Sequence, residues 1–423
     1  MKRLVLFLSI AVVSRMVLQA LYVPAFEAPD EPQHLARVLD FARRPLPEAF
    51  EGRWVDGDIV ASVLAHPCPH PELGCPSYAE IPGAFDLLRR PKLPPRTANR
   101  YPNAEAKQPP LFYLAAGLPL RAVGAGRDPM AALLYVRLLS VGLVTAALFF
   151  PLRRTFAHRP ALAVAGLVAL CAPGAAEAFA RCSNDAALFL WAAAVVAALE
   201  KRPVPLWMAA LLAAGPLIKL TALPVAAFAV VALWRESRRG AAAAGALASL
   251  LVFLVQAVRG WSAGGVLELA PQGPQIADSF SGWAVGFAKT AYTLVKAPFW
   301  AMGWHLLRPP PAILAVYLGL LLGFLLTQRP AAVPRRRLAH AAGAIVMAAG
   351  FAAFTVATRR SLGVWGAVAG WYVWDWSPWL AVAARDLTRV EPRFARPLFA
   401  IEALVVVASN VAWFVMASAA YGR

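Results

Sequence analysis

Pro109-Pro110-Leu111-Phe112-Tyr113-Leu114-Ala115-Ala116-Gly117-Leu118-Pro119-Leu120-Arg121-Ala122-Val123-Gly124 is an apolar stretch that opens on two prolines and ends on a glycine. A helix over Pro110 to Gly124 would cover roughly 22 Å, short of the ~30 Å hydrocarbon core of a bilayer. Its reading decides the fold, because every apolar run downstream reverses direction if this one crosses. Laid in the outer interface as an amphipathic or re-entrant helix, it leaves Lys2/Arg3, Arg153/Arg154/Arg159, Lys201/Arg202, Arg235/Arg238/Arg239, Arg329/Arg335/Arg336/Arg337 and Arg385/Arg389/Arg393/Arg396 on one side. That side is then cytoplasmic, since basic residues concentrate in cytoplasmic loops.

The bulk numbers agree. Of 423 residues, 60% are hydrophobic and 15% charged, and the mean hydropathy is +0.58. A soluble chain of this size would need more polar surface than that. The net charge of +18 falls in short clusters between apolar runs, which is the pattern of membrane topology and not of a nucleic-acid surface. Met1-Lys2-Arg3 before Leu4–Val23 resembles a signal peptide, but no small-x-small cleavage site precedes Pro24, so a retained first helix is expected.

Spans are expected near Leu4–Val23, Met130–Leu152, Pro160–Phe179, Asn184–Ala198, a pair of half-length helices in Val204–Trp234, Ala241–Val258, Ala312–Thr327, Leu338–Ala357, Tyr372–Ala384 and Pro397–Ala417. The expected fold is therefore an all-α integral membrane protein, a single transmembrane domain over residues 1–423 with about eleven transmembrane helices and its N-terminus inside. Residues 24–129 form a large extracytoplasmic loop with interfacial helices, two of them short and placed at Gln33–Arg43 and Ala79–Arg90. Residues 259–309 form a second extracytoplasmic loop.

The first loop is too long to be a simple connector, and long loops carry function. It begins Phe26-Glu27-Ala28-Pro29-Asp30-Glu31-Pro32-Gln33-His34, two adjacent carboxylates and an imidazole at the exit of the first helix. A partly desolvated carboxylate has the raised basicity that a general base requires, so Asp30 is the candidate base. Glu31 and His34 would orient it or bind an acceptor. The competing reading is helix capping, with Asp30 as N-cap and Pro32 near the first helical position. Further along, Cys68 and Cys75 form a candidate disulfide pair outside the cytoplasm, or join His66 and His70 as zinc ligands at a spacing that matches no standard finger. Cys171 and Cys182 read as buried small residues.

Charged groups inside spans are functional candidates because hydrocarbon penalises them. Asp185, in Arg181-Cys182-Ser183-Asn184-Asp185, should face the bundle near the loop. Lys219 follows Gly215-Pro216, where a broken helix and an ammonium could together receive an anion. Lys296, Trp300, Trp304 and Arg308 lie together before the next span and could clasp a lipid phosphate, or else form an aromatic belt with snorkelling cations. Asp375, in Trp374-Asp375-Trp376, is expected to pair with a cation.

The order of these features resembles the GT-C superfamily of membrane glycosyltransferases, which includes protein O-mannosyltransferases and aminoarabinose transferases. The resemblance rests on Pro29-Asp30-Glu31-Pro32-x-His34, Gln108-Pro109-Pro110-Leu111-Phe112-Tyr113, Ser183-Asn184-Asp185-Ala186 and Lys219-Leu220-Thr221, within roughly the first 235 residues. Phe299-Trp300-x-x-Gly303-Trp304 is similar to related bacterial multi-span proteins, in which a later helix begins Gly-Arg-Tyr; here Gly370-Trp371-Tyr372 lacks the arginine. The resemblance implies an inverting transfer of a sugar from a polyprenyl-phosphate donor to an acceptor hydroxyl of a saccharide, lipid or protein. The place would be the outer face of a cytoplasmic (inner) membrane, with Asp30 as catalytic base. It implies no obligatory cofactor, leaves a divalent metal undecided, and gives no role to nucleic acid. The alternatives are a transporter or flippase of lipid-linked saccharides and an inactive GT-C-like assembly partner.

Overall fold

A computed structural model describes residues 2–23, 25–26, 30–51, 54–65, 100–156, 160–201, 207–262, 281–288, 311–331, 336–362 and 372–421. Helix α1 (Lys2–Tyr22) leads to three short helices of the first loop, α2 (Glu31–Arg43), α3 (Leu46–Glu51) and α4 (Gly57–Ala65), and then to α5 (Leu111–Ala122). After them come α6 (Pro129–Ala147), α7 (Arg153–Thr155), α8 (Pro160–Cys171), α9 (Pro173–Ala180), α10 (Asp185–Leu199), α11 (Met208–Ile218), α12 (Leu223–Arg235) and α13 (Arg239–Ser262). The chain continues with α14 (281–288), α15 (Pro311–Leu326), α16 (Arg337–Leu362), α17 (Tyr372–Asp375), α18 (Ser377–Leu387) and α19 (Pro392–Tyr421). Two antiparallel ribbons interrupt the helices. Strand β1 (Trp54–Asp56) pairs with β2 (Arg100–Pro102), and β3 (Gln328–Pro330) pairs with β4 (Thr388–Val390).

Among the described residues, four helices are long and apolar enough to cross a membrane: Arg3–Tyr22, Pro129–Thr155, Arg239–Gln256 and Arg396–Val415. The chain is therefore a mostly helical protein of the membrane-associated class. The expected run Pro160–Phe179 is not one straight span. It bends by 81° between α8 and α9, where Ala172 is extended and Pro173 restarts the helix. The carbonyl of Cys171 at this bend accepts a hydrogen bond of 2.7 Å from Arg15 Nη1 of α1. Tyr372–Ala384 likewise divides at Trp376, into α17 and α18, each too short to span. The intended span Asn184–Ala198 appears as the fifteen-residue α10, one of several shorter apolar helices of which α11 and α12 are two more.

The core has two parts. In the bundle, α10 packs against α6, α11, α12 and α18, while α12 and α11 pack on α16 and α13. Over one end lies a second cluster that includes Phe26, Leu35, Phe41, Val55, Ile59, Phe112 and Tyr113, continuous with Leu133 and Val136 of α6. The interfacial segment expected at Pro110–Gly124 is the twelve-residue α5, and it lies against α2. Gly117 sets how close the two helices come: a Cβ there would meet the Val38 carbonyl oxygen at 2.6 Å and Phe41 Cβ at 2.7 Å. Burial of α2 is nearly complete, from Glu31 to Ala42, so this helix of the loop is as enclosed as a core helix. Of the expected loop helices, Gln33–Arg43 corresponds to α2, and Ala79–Arg90 lies outside the described residues.

Candidate functional site

Asp30 and Glu31, adjacent in sequence, have separate fates. Glu31 is fully buried, and Arg137 of α6 grips it with two hydrogen bonds, Nε to Oε1 at 2.8 Å and Nη2 to Oε2 at 2.6 Å. The Cys182 amide donates to the same Oε1 at 3.0 Å. Arg137 Nη1 also reaches the last carbonyls of α1, Val23 at 2.6 Å and Ala20 at 3.2 Å. One guanidinium thus closes the C-terminal end of α1, where helical carbonyls lack partners, and anchors the start of α2. Glu31, a candidate catalytic residue on sequence, has both oxygens engaged by these donors.

Asp30 remains available. It occupies the N-cap position of α2 at φ 60°, ψ 7°, and its side chain makes no capping hydrogen bond. The capping reading thus holds for the positions of Asp30 and Pro32, but the side-chain hydrogen bond it calls for is not made. Left-handed backbone is unfavourable for a residue with a Cβ, although Asp tolerates it better than most. Here the conformation is held by the pinned residue that follows. The half-buried carboxylate makes no hydrogen bond or ion pair among the described residues. Burial raises its pKa above the ordinary value, Arg181 and Lys219 pull it back, and Asp185 adds to the rise.

Those three neighbours form a compact ion cluster at the N-terminal end of α10. Asp185 Oδ2 accepts from Arg181 Nη2 at 2.8 Å and from Ser183 Oγ at 2.9 Å. Lys219 Nζ donates to Asp185 Oδ1 and, at 3.1 Å, to Asp375 Oδ2. All four charged side chains are buried. Lys219 sits between α11 and the short 3-10 turn that precedes α12, in extended backbone. Gly215-Pro216 lie within the last turn of α11, which ends at Ile218, and Asn184 Nδ2 donates to the Ile218 carbonyl at 3.0 Å. The break is therefore what lets a lysine enter the bundle, and there its ammonium is paired with two carboxylates. Asp185 likewise serves first as the partner of Arg181 and Lys219.

On the other side of Asp30, His34 Nδ1 lies 2.7 Å from the Tyr113 hydroxyl in a hydrogen bond, and 3.9 Å from Glu105 Oε2. Burial lowers the imidazole pKa to about 3, with Arg181 acting in the same direction, so His34 is neutral at physiological pH. Glu105 moves the opposite way, to about 8, through burial and then the repulsion of Asp30. It follows Asn103, which donates through Nδ2 to the Gln33 carbonyl at 3.1 Å and accepts from the Glu105 amide at 2.8 Å. Asn103 thereby ties the loop to α2. Glu105 and Arg137 did not stand out in the sequence: one is an ordinary loop acid and the other a single arginine in an apolar helix. The intramembrane charge of Arg137 was the available signal.

Several buried polar atoms near Lys219 have no hydrogen-bond partner among the described residues, including Asp375 Oδ1, Thr221 Oγ1, Asn184 Oδ1 and Trp374 Nε1. Such atoms are costly unless something polar meets them. Lys296, Trp300, Trp304 and Arg308 lie outside the described residues, as do Cys68 and Cys75. Cys171 and Cys182 are buried free thiols, as expected. Comparison with protein-family models, curated proteins and solved structures gave no match.

Proposed function

We propose that this chain is a membrane glycosyltransferase of the GT-C type, moving a sugar from a polyprenyl-phosphate donor to an acceptor hydroxyl at the outer face of a cytoplasmic membrane. The observation that carries the reading is Asp30: a half-buried carboxylate without a hydrogen-bond or ion-pair partner among the described residues, raised in pKa, beside a buried Arg181–Asp185–Lys219–Asp375 cluster. A group that only capped a helix would spend its oxygens on backbone amides.

In the proposed reaction the acceptor hydroxyl loses its proton to Asp30 as its oxygen attacks the anomeric carbon. The new C–O bond forms as the bond from that carbon to the carrier phosphate breaks, with inversion, and the phosphate departs on the lipid. Arg181 and Lys219 act on the developing negative charge through their field, moderated by Asp185 and Asp375. Lys296 and Arg308, from the second loop, are the further cations proposed for the lipid phosphate. Trp300 and Trp304 would wall the sugar or the carrier. The finer topology, about eleven transmembrane segments with the N-terminus inside and the first loop outside, belongs to the same proposal. It is supported by the arrangement of charge: Glu200, Glu236, Arg336 and Arg385, all from the basic side, join in one network, and the Asp30 cluster lies at the other end of α10.

The test is transfer of radiolabelled sugar from a panel of polyprenyl-phosphate donors by purified wild type beside Asp30→Asn. Turnover by wild type that falls by about 10²–10⁴-fold in a folded variant supports the reading. Equal turnover removes Asp30 from the reaction. Binding of lipid-linked saccharide without turnover by wild type would favour a transporter or an inactive partner.

A further inference from the structure

The end of the bundle away from Asp30 carries a cavity of about 880 Å³, lined by residues of α10, α18 and the segments around α7 and β4. Asp185 opens α10, whereas the cavity wall on that helix runs from Leu190 past its end to Lys201, so the charged end of the cavity lies roughly 22 Å along α10 from the Asp30 cluster. Nothing in the transfer reaction uses it.

Its charges are unevenly matched. The two acids of the wall, Glu200 and Asp386, are committed: Arg385 Nη2 lies 2.8 Å from Glu200 and 2.9 Å from Asp386. Arg336 Nη1 donates to Glu200 at 2.8 Å, and His340 lies 3.3 Å from Asp386. Arg154, Lys201 and Arg389 then stand on the wall without an acid, all three exposed. Arg154 and Arg389 make no ion pair among the described residues, and Lys201 lies over the Trp207 ring at 5.7 Å. The remaining wall is apolar, from Leu190, Ala194 and Ala197 on α10 to Phe150. Phe150 is 70% exposed and Trp207 49% exposed, large side chains turned outward at the level where the apolar part of α10 ends.

We infer that this pocket is a binding site for an anionic phospholipid, its phosphodiester held by Arg154, Lys201 and Arg389 and its upper acyl chains laid along Phe150 and the alanine face of α10. Basic pockets between helices at the cytoplasmic level suit such headgroups, and guanidinium forks match phosphate oxygens. The volume falls within the range of small-molecule sites, and a soluble phosphate would leave the apolar wall uncovered. The inference rests on the proposed sidedness of the basic clusters, and it stands or falls apart from the proposed transfer.

The experiment is native mass spectrometry of the full chain after equilibration with vesicles of phosphatidylcholine containing phosphatidylglycerol. Wild type should retain phosphatidylglycerol in preference to phosphatidylcholine. Arg154→Gln with Arg389→Gln should cut that retention by about tenfold or more, since each cation near the surface contributes substantially to holding an anionic lipid. Arg154→Lys with Arg389→Lys, which keeps the charges, should keep the preference. Equal retention by the glutamine variant, no preference between the two lipids, or loss of preference in the lysine variant would each overturn the site. Displacement of the lipid by millimolar inorganic phosphate would also overturn it, assigning the pocket to a soluble phosphate.

Discussion

Asp30 and Glu31 share a side-chain chemistry and a place in sequence, yet Arg137 makes them different residues. Replacing Arg137 with Met leaves Glu31 buried without its partner, and the expected loss of stability is about 3–5 kcal/mol, read as a lowered melting midpoint in detergent. Glu31→Gln should cost less and should slow transfer through Asp30 without abolishing it. The pH dependence has a definite sign. Asp30 must be deprotonated to act, and its raised pKa moves the acid limb of kcat/KM above the ordinary carboxylate range. Glu105 holds a proton in the folded state up to about pH 8, whereas it releases one near 4.5 when unfolded. It therefore stabilises the fold at low pH and loses that contribution as pH rises from about 4.5 through 8. His34, neutral down to about pH 3 when folded, costs stability as pH falls below 6.5. Melting midpoints of Glu105→Gln should consequently fall less steeply than wild type between pH 5 and pH 8; an unchanged slope would exclude Glu105 as the titrating group. Asp30 and Lys219 were legible in the sequence because charge at a membrane boundary or in a span is conspicuous. Glu105 was not, since its perturbation comes from burial beside a residue 75 positions away.

Among the elements, the long helices α1, α6, α13 and α19 lie where hydropathy placed them, while the breaks within shorter runs were read unevenly. The length limit on α5 and the Gly215-Pro216 break are local properties, written in a few residues. The bend between α8 and α9 is also marked locally, by Pro173, whereas the interruption at Trp376 is settled by a distant neighbour. Trp376 Nε1 donates to the Thr221 carbonyl at 2.5 Å, on the other side of the Lys219 break. Two interrupted segments thus complete each other, and the ion pair of Lys219 with Asp375 follows from that arrangement. The contact of α2 with α5 depends on one missing side chain. Gly117→Ala brings its Cβ into the Val38 carbonyl and Phe41, at an expected cost of about 1–3 kcal/mol, and should lower the melting midpoint. Gly142 meets nothing within 4 Å, so Gly142→Ala should leave the midpoint unchanged or raise it.

For the molecule as a whole, the sidedness drawn from basic clusters makes a prediction that one labelling experiment decides. In a Cys68→Ser/Cys75→Ser background, a membrane-impermeant maleimide added to intact cells should label Glu48→Cys, and should label Arg235→Cys only after permeabilisation; the reverse pattern would invert the topology. Helical class and membrane association were legible from hydropathy, because they depend on composition. The sorting of full spans from half-length and bent segments was not, because it depends on which partner each freed carbonyl finds. Arg15 supplies one such partner, and its position has a consequence for biogenesis. It lies inside an apolar first helix, where an arginine raises the free energy of insertion by about 2.5–3.5 kcal/mol. The carbonyl it serves belongs to Cys171, 156 residues later in the chain. At ribosomal rates of about 5–20 residues per second, that carbonyl emerges roughly ten to thirty seconds after Arg15. Over that interval the newborn helix must be held by its hydrophobic flanks or by the insertion machinery, and α1 acquires its permanent place only when a segment made much later arrives to claim its charge.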